Sequence, residues 1–163
     1  MIMTVSLDMP YHEAAHVLAG WVLDLPIDRV VIDKNGWGVK KSRWFSMTRQ
    51  FREVSQETVR KDVIFCLSGD YGGMLVGAEW PPHYAHDDYL ARFLSRKFAL
   101  NIAAMRDDAF RLVLTHKHAI SKVAQKLVKK AECAKREGKE ALVLITPYEM
   151  NLERMNWLAR GKC

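Results

Sequence analysis

Near its N-terminus the chain carries His12-Glu13-Ala14-Ala15-His16, two imidazoles four positions apart with a carboxylate beside the first. That spacing is coherent on an α-helix, where residues i and i+4 lie one turn apart on the same face. The neighbouring residues predict such a helix. Ala14, Val17, Leu18, Trp21 and Val22 recur at helical spacing and give it an apolar face to bury. Pro10 is tolerated in the first turn, where its missing N–H costs nothing, so the helix begins near Asp8. Pro26 marks its end.

The next segment changes period. Ile27-Asp28-Arg29-Val30-Val31-Ile32 is a β-branched run, followed by Lys34-Asn35-Gly36 and then Trp37-Gly38-Val39-Lys40-Lys41. Asn-Gly between two such runs predicts a β-hairpin. Residues 42–54 read as a loop or an irregular strand. A helix is expected from about Ser55 to Gly69 or beyond, with Val59, Val63, Cys66 and Leu67 inward, and Trp80-Pro81-Pro82 breaks the pattern. From Ala85 to about Arg136 the chain reads as helix with at least one interruption. Asp87 and Asp88 sit in its first turn, where acidic side chains complement the helix dipole. Lys135 to Lys139 is a polar turn, and Thr146-Pro147-Tyr148-Glu149 is a capping box that opens a last short helix toward Trp157. The expected fold is mainly α: a single domain over residues 1–163 with one small hairpin inserted after the first helix.

A chain of 163 residues, 49% of them hydrophobic, can bury one sizeable core. No apolar stretch approaches the roughly 20 residues that span a bilayer, and residues 1–8 lack the basic and apolar regions of a signal peptide. A cytoplasmic protein without a membrane segment is expected. Cys66, Cys133 and Cys163 are far apart and form no CxxC pair, which argues against a disulfide framework or a zinc finger. The net charge of +6 is read as a solvated surface, and nucleic acid is not an expected partner. The basic stretch from Lys122 to Lys139 has Val123, Leu127 and Ala131 on its inner face. It is read first as an amphipathic surface helix, and second as a docking surface for an acidic partner or nucleic acid.

On a helix, His12 and His16 can hold one Zn²⁺ through neutral imidazole nitrogens. Glu13 cannot readily reach the same ion from the same helix. It can reach a zinc-bound water, take its proton as general base and pass that proton to a leaving amine. The chemistry implied is peptide-bond hydrolysis by a zinc metallopeptidase. A third protein ligand must come from downstream. The metzincin extension would need glycine at position 19 and histidine at position 22, and Ala19 and Val22 exclude it. Asp70, Glu79, His83, His86, Asp87 and Asp88 all remain candidates.

These residues resemble, in order, the peptidase domain of the FtsH family of ATP-dependent zinc proteases. Tyr11-His12-Glu13-Ala14-Ala15-His16 resembles its HEAGH helix, and Asp28 to Ile32 followed by Gly36 to Val39 is similar to the strand and glycine turn that come next. Val59 to Gly77, containing Leu67-Ser68-Gly69-Asp70, stands where that family has its Gly-Gly-Arg-Ala-Ala-Glu-Glu helix. Ala85-His86-Asp87-Asp88-Tyr89-Leu90 resembles its Gly-Ala-x-x-Asp-Leu segment, whose aspartate is the third ligand. Residues 107–130 and the Thr146 capping box resemble its C-terminal helices. Aligned on Ala85, the resemblance implies a zinc site of His12, His16 and Asp88.

Three departures accompany it. Ala15 replaces the glycine of HEAGH, which requires room for one methyl. Asp70-Tyr71-Gly72-Gly73-Met74 replaces the Arg-Ala-Ala-Glu-Glu stretch. The sequence carries neither a Walker A motif nor a membrane anchor, so a stand-alone domain is expected. Its substrates would be unfolded or exposed segments of protein or peptide, or an unfoldase partner would prepare them. An outer strand near Gly36 to Lys41 could receive such a segment by strand addition. The alternatives are a non-catalytic zinc-binding adaptor or regulator of a larger protease, and a protease specific for one partner. A homo-oligomer is open.

Overall fold

A computed structural model describes residues 7–33, 36–41, 54–78, 85–138 and 142–161. Its elements run α1 (Asp8–Val22), β1 (Ile27–Asp33), β2 (Gly36–Lys41), α2 (Gln56–Met74), α3 (Ala85–Lys97), α4 (Ile102–Thr115), α5 (Lys117–Arg136), β3 (Leu142–Ile145) and α6 (Pro147–Ala159). The molecule is mainly helical with one small antiparallel sheet. No helix among the described residues is long and apolar enough to cross a membrane.

Helix α1 is central. Pro10 and every residue from His12 to Trp21 are buried, as expected of a helix enclosed on all sides. Two apolar clusters meet on it. Ala14, Ala15, Val17, Leu18 and Trp21 pack with the inner face of α5, with Val30, Leu144 and Ile145 of the sheet and with Trp157 of α6. Ala19 joins the other cluster, built from Val59, Val63 and Leu67 of α2, Leu94 of α3 and Ala109 of α4. Val22, expected inside, is 38% exposed, because α1 ends there and the chain turns away through Asp24 at φ +56°.

The expected hairpin is present: β1 pairs antiparallel with β2 from Ile27↔Lys41 to Asp33↔Gly36. Its connecting residues, Lys34 and Asn35, lie outside the described residues, as do 42–53. The sheet also has a strand that the sequence analysis lacked. Leu142–Ile145 pairs antiparallel with β1 on the side away from β2, giving the order β2-β1-β3. A four-residue apolar run is too short to show a period, and its partner lies over a hundred positions earlier.

The long helical stretch after Ala85 is interrupted twice. The first break follows Lys97, where Ala99 takes φ +53° and the Asn101 side chain accepts from the N–H groups of Ala103 and Ala104 to start α4. The second is at His116, which ends α4 and precedes α5. Ser55 caps α2 by accepting from Thr58 N–H. The Thr146 capping box is complete, its hydroxyl accepting from Glu149 N–H while the Glu149 carboxylate accepts from Thr146 N–H.

The basic helix is partly neutralised from within. Lys126 donates to Glu153 and Lys130 to Glu149, each at 2.5 Å, binding α5 to α6. Val123, Leu127 and Ala131 are buried, as the amphipathic reading of this helix expects.

Candidate metal centre

His12, Glu13 and His16 sit on the buried body of α1, at 2%, 3% and 4% exposure. Polar side chains so deeply enclosed require partners, and helices α2 and α3 supply them. His16 Nδ1–H donates to the Phe65 carbonyl at 2.8 Å, which turns Nε2 toward His12 and Asp87. His16 Nε2 stands 3.0 Å from His12 Nε2. Both nitrogens lie 3.1 Å from Asp87 Oδ2, brought in by the first turn of α3.

Two imidazole nitrogens and a carboxylate oxygen thus form a near-equilateral triangle with sides of 3.0–3.1 Å. A group of this kind could hold a metal ion. The face of a tetrahedral zinc site, with bonds of 2.0–2.1 Å, has edges of about 3.3–3.4 Å, so the residues fit such an ion with adjustments of a few tenths of an ångström. Burial opposes a charge on His16, but the Asp87 hydrogen bond and charge, with the charge of Glu13, outweigh it and lift His16 to about 9. Burial, with the nearby His16, pushes His12 down to about 4 despite Asp87. Burial alone would raise Asp87, yet its hydrogen bonds to His12 and His16 hold its carboxyl well below the usual range. The two histidines thus share a single proton, held beside the ionised Asp87.

The carboxylate beside the histidines is therefore Asp87, one position before the Asp88 implied by the family resemblance. Successive helical residues point about 100° apart, so only one of the two can face α1. Asp88 turns toward the cations of its surroundings, accepting from Arg92 Nε at 2.6 Å and from Arg106 Nη2 at 3.1 Å. Burial works against its charge, but those two hydrogen bonds dominate and lower its pKa. The Arg106 bond ties α3 to α4 and so steadies the turn that carries Asp87.

Two glycines of α2 make the close approach possible. A Cβ at Gly69 would lie 2.4 Å from His16 Nε2 and 2.6 Å from His12 Nε2, inside both rings' contact distance. A Cβ at Gly72 would lie 2.4 Å from Ala15 Cβ and 2.5 Å from the Tyr11 carbonyl. The room that Ala15 requires is thus provided by Gly72 on the facing helix. Neither glycine was singled out from sequence for this role, since a helical glycine declares its reason only when its neighbour is known.

Of the other candidates, Asp70 is 1% exposed on α2, with Oδ1 3.9 Å from His12 Nδ1. Burial first, then the charge of Asp87, raises its pKa to about 7. His86 is exposed at the rim. Glu79 and His83 lie outside the described residues. A cavity of about 360 Å³ opens beside the triangle, lined by Glu13, His16 and Asp87 on one side and by Trp37, Val39, Phe65 and Cys66 on another. Its wall includes the middle of β2, an outer strand of the sheet. No protein-family model matches the chain, and no curated protein matches it.

Proposed function

We propose that the chain is a zinc-dependent metallopeptidase in which His12, His16 and Asp87 hold the metal and Glu13 is the general base. The observation that carries this reading is the 3.0–3.1 Å triangle of donor atoms next to a buried glutamate that lines the same cavity. When bound, zinc polarises a carbonyl and lowers the pKa of water. The chain's own groups supply the rest. Phe65 O fixes the His16 ring with Nε2 toward the centre, and Asp87 contributes a negative charge that balances the cation. Glu13 accepts a proton from the attacking water and returns it to the departing amine, each transfer needing hydrogen-bond reach of about 2.6–3.2 Å.

The position of β2 supports an extended polypeptide as the substrate. Trp37, Gly38 and Val39 line the cavity that holds Glu13 and His16, so a segment added along this outer strand would pass the reactive groups. Apolar lining from Trp37, Val39 and Phe65 suits a non-polar side chain near the cleaved bond. The order of elements, from the HExxH helix through the hairpin to an aspartate opening α3, also supports the likeness to the FtsH-family peptidase domain.

Glu13→Gln tests the proposal. The variant should hold zinc as the wild type does and lose cleavage of an unfolded protein substrate. Retained cleavage would remove Glu13 from the mechanism. Wild-type protein that binds zinc but cuts nothing unfolded would favour the adaptor reading.

A further inference from the structure

Asp70 stands outside the triangle and has no part in the mechanism above. It is nevertheless almost wholly enclosed, at 1% exposure, and neither of its carboxylate oxygens has a hydrogen-bond partner among the described residues. A buried carboxylate in that condition is costly and calls for a donor. The partner that stands nearest is the His12 ring, whose Nδ1 lies 3.9 Å from Asp70 Oδ1, on the other side of the ring from the Nε2 that meets His16 and Asp87. The adjacent Gly69 is what lets α2 come this close, since its missing side chain leaves space only for the two rings.

The two histidines are thus held unequally. His16 has its outer nitrogen committed to a backbone carbonyl at 2.8 Å. For His12 the group facing the outer nitrogen is a carboxylate. Resting on the metal-centre reading above, we infer that Asp70 is a positioning residue for His12. With metal on Nε2, His12 carries its proton on Nδ1 and donates it to Asp70, which fixes the ring's tautomer and angle and raises its basicity as a ligand. That donation requires the two groups to approach from their present 3.9 Å. Carboxylate–histidine–metal and carbonyl–histidine–metal arrangements would then operate side by side.

Zinc affinity of the full chain, measured by competition with a chromophoric chelator, tests this with Asp70→Asn and Asp70→Ala. Loss of an outer-shell partner costs about 10–100-fold in metal affinity. Asp70→Asn, which keeps an acceptor without the charge, should fall near the lower figure and Asp70→Ala near the upper one. Long-range ¹H–¹⁵N spectra of the zinc-loaded protein add a readout that a general packing role would not produce. The His12 Nδ1 signal should move in Asp70→Asn while the His16 Nδ1 signal stays. Wild-type affinity in Asp70→Asn, with an unmoved His12 signal, would overturn the inference while leaving the metal centre intact. Should Asp70→Ala not fold, Asp70→Asn alone decides. A wild type that takes up no zinc would instead overturn the centre itself, and this inference with it.

Discussion

Asp87 and Asp88 are chemically identical neighbours with opposite surroundings. One faces two buried imidazoles and the other two arginines. The first turn of α3 makes that division, and no property of either side chain could. The histidines were legible because their spacing is a property of one helix. Which carboxylate meets them depends on how two helices are rotated against each other, so sequence reduced it to several candidates, and the family resemblance pointed to the adjacent one. The Phe65 carbonyl could not be read at all, because a backbone acceptor leaves no mark in the sequence. Gly69 gives a sharp test at this scale. Gly69→Ala introduces a methyl group at 2.4–2.6 Å from both ring nitrogens. The rings must shift, and zinc affinity should fall at least about tenfold, as misplaced ligands do, while far-UV circular dichroism stays helical. Unchanged affinity would mean the rings have slack that their burial denies.

Helices α1 and α2 approach through Gly72 against Ala15 and the Tyr11 carbonyl. Overpacking such a contact costs about 1–3 kcal/mol, and Gly72→Ala should destabilise the fold by that order in urea unfolding. Adding Ala15→Gly should recover only part of the loss, because the Tyr11 carbonyl at 2.5 Å is backbone and stays. Full recovery would identify the side-chain methyl as the whole obstacle. The elements themselves were largely legible. Periodicity marked α1 and α2, the β-branched runs marked the hairpin, and Thr146 with Glu149 marked the start of α6. Strand β3 was missed because its signal is its pairing with Val30–Ile32, a contact across the whole chain. The α3–α4 break was under-read because Ala99 gives no warning of positive φ, although Asn101 is a cap residue in plain view.

Across the whole molecule, α6 closes the fold over the sheet and α5. Trp157 lies 5.8 Å from Trp21, and the Lys130–Glu149 and Lys126–Glu153 pairs run beside it. The Lys130 hydrogen bond, with the Thr146 N–H, holds Glu149 down at about 2 against an ordinary 4.5. Its folded pKa is depressed, so its contribution is complete above the unfolded value and fades as pH falls from about 4.5 toward 2. Glu149→Gln should lower Tm at pH 7 and shrink that difference below pH 3. A difference independent of pH would assign the loss to the cap alone. The proposed metal centre acts at the same scale, since its donors come from α1 and from α3, more than seventy positions later. An ion that joins them binds only the folded chain, so a chelator should lower Tm of the zinc-loaded protein.

The most direct test is zinc content per chain in the wild type, His16→Ala, Asp87→Ala and Asp88→Ala after loading and desalting. Near-stoichiometric zinc is expected in the wild type and in Asp88→Ala, and its loss in His16→Ala and Asp87→Ala. Zinc retained in Asp87→Ala and lost in Asp88→Ala, or no zinc in the wild type, would contradict the centre described for this chain.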